Sequence, residues 1–528
     1  MLVNKKQQYG NEGQVLHYKL EGKVALHYLK EIEEKMNILR NKLKHERTLR
    51  WKAWVEQSWA NKKKDIYKWI RGKEGNGPLI MNNGGSAQLT ERMKLAEETW
   101  GGLWAVEVED LPKFGSTKMP RITEDEVRRV VNHLADGKAK GVDGWSPAEL
   151  RALSKSHIRG LTELLNRIDK EKIWPDGLNP IIALISKLGA ENEGQLRPIA
   201  ILPYVYRVWM AIRKCRVKQW ALNLNEGKFS SPETLVWEIA AKGELAKIKG
   251  KYFAAAYIDC SKCYERVNHK AAAQAAIDTG CDPIIAALSF NMYKQPRILQ
   301  VHKSNTQPIE AEGGILAGCA YAVTVLKAMI KQDVKDDKNE LRDYVDDMVL
   351  FKEGDTEEEA ISGLYKDLNE AKDKLRDIGQ VLNDKKEQIF VQSKTGERIW
   401  HQHCPDYKGR VGQAVIDLGI TLRDHNQKSI NKQKRVDDTV CVVKKIQSLG
   451  LSVRDKVNII KTAAQSKATY GAAVDPFTVA QINTLRAKYT QALWPKKYTA
   501  CRTTGLLIVD QGEIEPGINV IKNIIANW

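Results

Sequence analysis

A chain of 528 residues, 42% hydrophobic and 28% charged, has a globular composition and is long enough for several cores. Its 84 Lys and Arg against 66 Asp and Glu leave a net charge of +18, which points to a polyanionic partner, nucleic acid above all. Eight cysteines exclude a disulfide scaffold, the start MLVNKKQQYG lacks a signal-peptide core, and the longest nearly uncharged apolar run, residues 313–326, is too short to span a bilayer, so a reduced intracellular protein without membrane contact is expected.

Residues 1–118 read as a basic, Trp-rich helical extension with a linker. Leu29, Ile32, Met36, Leu39 and Leu43 recur at alternating spacings of three and four, one apolar stripe on a basic helix. Trp51, Trp54, Trp59 and Trp69 stand among lysines. Rings that stack on bases beside lysines that neutralise phosphates suit a nucleic-acid surface, and the same pattern suits a half-buried helix edge with a solvated basic face. The Gly- and Asn-rich stretch 72–90 reads as the linker.

Thr123 and Glu126 form a capping box for a helix running to about Ala135, and Ser146, Pro147 and Glu149 open another. IIALI, ending toward Lys187, and a second apolar run beginning at Arg197-Pro198 read as a hairpin with one lysine and one arginine on its arms, a pair able to clamp a triphosphate. After Pro203 a helix carries Arg207, Arg213, Lys214, Arg216 and Lys218 as a cationic surface. No Gly-Lys pair is followed by Ser or Thr, which excludes a Walker-type phosphate loop.

Residues 253–259 read as a strand that ends on Asp259, where an acid is costly unless it is exposed or holds a metal. Cys260 and Cys263 lack a second pair at zinc spacing and read as ordinary thiols. LRDYVDDMVLF, residues 341–351, reads as a short hairpin with Asp346 and Asp347 at its tip. Two adjacent carboxylates repel and a divalent cation relieves them, although a solvated turn carries the same acids without one. Thr356 and Glu359 cap an amphipathic helix over 355–379, striped by Ile361, Leu364, Leu368, Ala371, Leu375 and Ile378. Lysine-rich helical segments follow near 431–448, 452–468 and 478–494.

In order, the Arg-Pro hairpin, IDCSKCYERV, GGILAGCAYAVTVL, YVDD, GQVLNDKKEQI and LGI resemble the reverse transcriptase domain of non-LTR (LINE-type) retrotransposons, over about residues 120–500. The resemblance implies an α+β right-hand polymerase, with fingers and palm over 119–400 and a helical thumb and tail over 401–528. The palm would be a small antiparallel sheet with supporting helices. It implies RNA-directed DNA polymerase activity, with template RNA, a DNA primer or target and dNTPs as partners. Two Mg²⁺ ions, with Mn²⁺ as a substitute, are implied as cofactor, and residence in the nucleus and/or cytoplasm.

Carried over residue by residue, Asp259, Asp346 and Asp347 are the catalytic metal ligands. Lys187, Arg197, Tyr264, Gly318 and Lys386 surround the dNTP, with Tyr264 against the sugar and Lys386 near the leaving pyrophosphate. Gly314, Tyr344, Leu418 and Gly419 lie along the nucleic acid, the last two in a primer-gripping turn. The family's Gly-x-x-Gln-Gly-x-Pro-x-Ser reads here with Ala317, Ala320 and Ala322 at the Gln, Pro and Ser positions, and Glu265 stands where Asp is usual. Two further readings share the fold: a catalytically inactive RNA-binding or structural relic, and a group II intron-type maturase, a reading weakened because no DNA-binding or HNH-like tail is recognisable in this sequence.

Overall fold

The computed structural model describes residues 22–72, 89–105, 110–115, 117, 119–186, 190, 192–225, 231–301, 304–334, 340–424, 426–494 and 501–527. Lys187 and most of the expected linker, 73–88, lie outside them. The strands are β1 (Ile181–Ile185), β2 (Arg197–Ile201), β3 (Tyr252–Ile258), β4 (Ile298–Val301), β5 (Ser304–Asn305), β6 (Glu340–Tyr344), β7 (Asp347–Gly354), β8 (Gln388–Phe390), β9 (Arg410–Gly412), β10 (Ala414–Asp417) and β11 (Ile420–Arg423). The chain divides into two compact units. One comprises Met1–Lys73, Val440–Gln465 and Arg486–Ile514; the other comprises Glu74–Thr439, Ser466–Leu485 and Glu515–Trp528.

The larger unit is the expected α+β arrangement, built on a five-stranded sheet in the order β6-β7-β3-β8-β9. YFAAAYI forms its central strand because the run is apolar on both faces, as a strand covered on both sides must be. Ala254, Ala256 and Ile258 of β3 and Met348 and Leu350 of β7 face the main core. Phe253, Ala255, Tyr257, Val349 and Phe351 face a smaller cluster with Phe390, Val415 and Leu422. The Glu357–Asp377 helix packs on β3 and β7 from the main-core side, burying Ile361, Leu364, Leu368, Ala371 and Leu375.

The sheet is antiparallel except between β8 and β9. That pair runs parallel because the Lys394–His403 helix supplies the crossover a parallel connection needs. A second sheet, β2-β1-β4-β5, contains the expected hairpin, with Ile185 opposite Arg197, and again one parallel pair, β1 with β4.

Both capping boxes, at Thr123 and Ser146, are formed. On the Tyr204–Leu224 helix Lys214, Arg216 and Lys218 are exposed, as a cationic surface requires, but Arg213 turns inward. Arg213 is buried, paired with Asp169 and donating to the Pro120 carbonyl, and Arg216 pairs with Asp282 at 3.2 Å.

In the smaller unit Trp51 packs against both Trp54 and Trp69, stacked on the first and tilted to the second. Trp51 lies 5.0 Å from Trp54 and 4.8 Å from Trp69 between ring centroids, and its Nε1 donates to the Ser448 carbonyl. Lys445 donates to the Ile70 carbonyl at 2.8 Å, and Tyr67 and Thr462 share a hydroxyl hydrogen bond. These rings are half-buried, as a helix edge is, and not laid open along a surface.

Candidate active site

β3 and β7 pair antiparallel with Ile258 opposite Met348. One step further along this register, Asp259 stands across from Asp347. The β6–β7 hairpin closes with Tyr344 opposite Asp347, so Val345 and Asp346 form a two-residue turn. Val345 has φ +62°, at a turn position where glycine is the comfortable residue. A β-branched side chain there costs on the order of 1–3 kcal/mol, strain held at the point where the acids sit.

Asp347 reaches solvent on one side. Burial on the other, then the neighbouring Asp346 and Asp259, push its carboxyl up to about 6, while Lys386 pulls it back. Lys386 Nζ lies 3.1 Å from Asp259 Oδ2, and the loop that carries it is tied to the end of β3 by Asn383 N–H donating to the Asp259 carbonyl. Cys260 and Cys263 are buried behind the acids as thiols, the former pushed up to about 12 chiefly by burial.

Tyr264 is half-buried, and its hydroxyl is raised by burial and then by the charge of Asp346. Arg197 is exposed at the start of β2. Lys262 Nζ donates to the carbonyl of the preceding Leu196.

The glycines of the 314–322 stretch serve the protein's own backbone. A Cβ on Gly318, at φ +133°, would stand 2.4 Å from the Ala200 carbonyl oxygen, and one on Gly314, at φ +82°, 2.9 Å from that of Glu265. The Gly314 carbonyl accepts from His269 Nε2 and Arg297, and Gly314 itself is buried. The close approach that requires glycine here is therefore to β2 and to residue 265. Glu265 is buried and pushed up to about 7, mainly by desolvation.

Leu418 and Gly419 are the two central residues of the β10–β11 turn, both at positive φ (+44° and +80°), the type I′ form a tight hairpin favours. Tyr470 donates its hydroxyl to the Leu418 carbonyl at 2.7 Å, and Asn431 Nδ2 donates to that of Gly419 at 2.5 Å. The residue before them, Asp417, escaped the sequence reading. It is buried, its carboxyl rises to about 7 through desolvation and then Asp347, and its Oδ2 has no hydrogen-bond partner among the described residues. The signal was there: like Asp259, it is an acid that closes an apolar run.

The arrangement is a cluster of hard oxygen donors at the end of one sheet, suited in chemistry to a divalent cation. As the side chains stand, no three His, Cys, Asp or Glu among the described residues are close enough to hold a metal between them. Asp259 is engaged by Lys386 instead.

No curated protein matches the chain. Among solved structures it is similar to apo telomerase from Candida tropicalis (12% identity, 70% of this chain and 67% of that one, TM-score 0.36). It is also similar to the same protein truncated from its C-terminal domain (15%, 51% and 59%, TM-score 0.32). A third likeness is to telomerase from Candida albicans in complex with a fragment of telomeric RNA (11%, 69% and 66%, TM-score 0.33). The chain thus spans about two thirds or less of those proteins, and likenesses this loose carry no argument about function. The family match is of another order: reverse transcriptase (RNA-dependent DNA polymerase) matches residues 185–458, just over half of the chain and all three acids. The chain belongs to the reverse transcriptase family, whose fold is the right-hand polymerase.

Proposed function

We propose that the chain is an RNA-directed DNA polymerase of the non-LTR (LINE-type) retrotransposon kind, extending a primer 3′-OH with dNTPs on an RNA template. The observation that carries this reading is the register that sets Asp259 across from Asp347, beside Asp346 on the turn. Burial first, and then the neighbouring charges of Asp346 and Asp259, raise Asp347 to about 6, and a bound cation would relieve both costs. In this reading Asp259, Asp346 and Asp347 hold two Mg²⁺, which when bound supply charge stabilisation at the reacting phosphate. Asp346 and Asp347 are exposed and able to turn toward Asp259 once Lys386 leaves it.

Tyr264 borders the incoming sugar, and Arg197 with Lys187 holds the triphosphate. Lys386, beside Asp259, is placed to hand a proton to the leaving pyrophosphate. Gly314 and Gly318 shape the loop under the templating base, and Tyr344, Leu418 and Gly419 border the primer. Residues 119–400 then act as fingers and palm, and the helices after 401 as thumb.

A second reading is favoured by two observations: the acids are not yet grouped as ligands, and Ala317, Ala320 and Ala322 replace longer or polar residues. It is an inactive polymerase fold that binds RNA. Primer extension on an RNA template with Mg²⁺ and dNTPs, beside Asp346→Ala and a binding assay, separates the two. Extension that the substitution abolishes supports the polymerase; binding without extension supports the relic.

A further inference from the structure

Every residue from 30 to 50 of the Gly22–Asn61 helix is exposed, whereas Val55 and Ser58 further along are buried. A helical stretch of this length has little stability of its own in water and takes it from packing. Ile32, Met36, Leu39 and Leu43 nevertheless stand 38, 46, 58 and 53% exposed. Their spacings of four, three and four set them within about 60° of one another around the helix, the narrow seam of a coiled coil rather than the broad face of a globular helix.

The charges beside the seam change sign along it. Residues 30–36 carry Glu31, Glu33 and Glu34 with Lys30 and Lys35; residues 40–50 carry Arg40, Lys42, Lys44, Arg47 and Arg50 with Glu46. A helix acidic at one end and basic at the other is complementary to itself when reversed.

We propose that this segment pairs antiparallel with the same segment of a second copy of the chain, about a two-fold axis between Met36 and Leu39. The seam then closes in four apolar layers, Ile32 on Leu43, Met36 on Leu39, and their symmetry mates. In that register Glu33 meets Arg40 of the second copy on one flank, a pair formed twice, while on the other flank Lys35 faces Lys42, with Glu31 set outside them and tied to Lys35. A parallel pair would set Lys35 against Arg40 and Lys42 against Arg47, like against like. The ion pairs within the helix, Glu31 with Lys35 and Glu46 with Arg50, are local and compatible with either state. Four layers make a small interface, so association belongs in the micromolar range, about 10 μM.

The same segment offers RNA a basic groove lined by Arg40, Leu43, Lys44, Arg47, Thr48 and Trp51, and the test separates that occupant. Sedimentation velocity of the full chain, cleared of nucleic acid, is followed from about 1 to 100 μM. The expected result is a concentration-dependent rise toward the mass of two chains. Leu39→Glu should abolish it. Glu33→Arg should weaken it about tenfold, and Glu33→Arg with Arg40→Glu should restore it. A chain that stays monomeric throughout overturns the proposal. So does association that needs added RNA, that survives Leu39→Glu, or that the double exchange fails to restore.

Discussion

Asp475 is fully buried and gathers three cations. Its Oδ1 accepts from Arg423 Nε at 3.3 Å and Lys432 Nζ at 3.1 Å, and its Oδ2 from Arg435 Nη2 at 3.2 Å and Ser429 Oγ at 2.5 Å. Arg423 ends β11, and Ser429 to Arg435 lead into the next helix, so this one carboxylate fastens the hairpin whose tip is Leu418-Gly419. Asp475→Ala removes the carboxylate that these three cations share. Breaking a buried charge pair typically costs about 3–5 kcal/mol. Here Arg423 keeps the Gln427 carbonyl, Lys432 that of Pro476 and Arg435 that of Tyr470, which puts the loss at the lower end, about 3 kcal/mol. Amide hydrogen exchange across residues 420–423 measures it locally, without requiring the whole chain to unfold as one unit. A loss of about 3 kcal/mol predicts roughly hundredfold faster exchange there. A change under about threefold would refute the reasoning and mean that the cations need no carboxylate. If the turn grips the primer, the same variant should raise KM for primer–template more than it lowers kcat.

Gly318→Ala drives a methyl into the Ala200 carbonyl and strains φ, and should destabilise by about 3 kcal/mol in thermal unfolding, whereas Gly102→Ala, helical with nothing within 4 Å of the added carbon, should stabilise by up to about 1 kcal/mol. Equal effects would show that backbone approach is not what glycine serves at 318. His269 is held down to about 4, by burial first and by the Arg297 and Lys294 charges, against an ordinary value of 6.5. The unfolded chain therefore binds the proton more readily. The stability tied to the neutral ring is complete above about pH 6.5 and is lost as pH falls toward 4, up to about 3 kcal/mol. Glu265, pushed up to about 7, contributes the opposite slope between about 4.5 and 7, so the test is a difference. His269→Gln keeps a donor for the Gly314 carbonyl and should lose less stability than the parent on acidification; parallel stability curves would dispose of the argument.

Local patterns were legible in the sequence. The capping residues Thr123, Ser146 and Thr356 each cap the helix expected of them, because a cap is a contact between residues three apart. The stripe from Ile361 to Leu375 lies buried on the sheet for the same reason. The acids could be singled out because charge at the end of an apolar run is anomalous on its face. What is settled at long range was not legible. The parallel pairings β1–β4 and β8–β9 join strands separated by helices. Arg213 leaves the expected cationic surface because its partner Asp169 lies 44 residues earlier. Asp417 becomes a neighbour of Asp347 only once the β10–β11 hairpin folds beside the sheet. The stripe from Ile32 to Leu43 was read correctly as a pattern, but periodicity does not say whether a partner within the chain covers it.

The three alanines bear on whether the site works, and their positions differ. The 314–322 loop is held by groups other than their side chains. Gly314 N–H donates to the Val267 carbonyl, Ile315 N–H to that of Tyr264, and Ala200 N–H to that of Ala317 at 2.6 Å. Cys319 lies within hydrogen-bonding distance of the Tyr206 and Tyr293 hydroxyls, and Tyr321 donates to the Met210 carbonyl. Ala320 is exposed and Ala317 half-buried, so a shortened side chain at either loses reach toward a ligand and leaves the loop's shape intact. Ala317→Gln should therefore change primer extension while moving stability by less than about 0.5 kcal/mol. Ala322 is 1% exposed, and a serine there would bury a hydroxyl at a cost of about 1–3 kcal/mol unless it found an acceptor. A gain of extension with Ala317→Gln alone would assign the deficit to lost ligand contact. A large loss of stability with that variant would mean that position 317 supports the loop through its side chain, and the separation of reach from fold would fail.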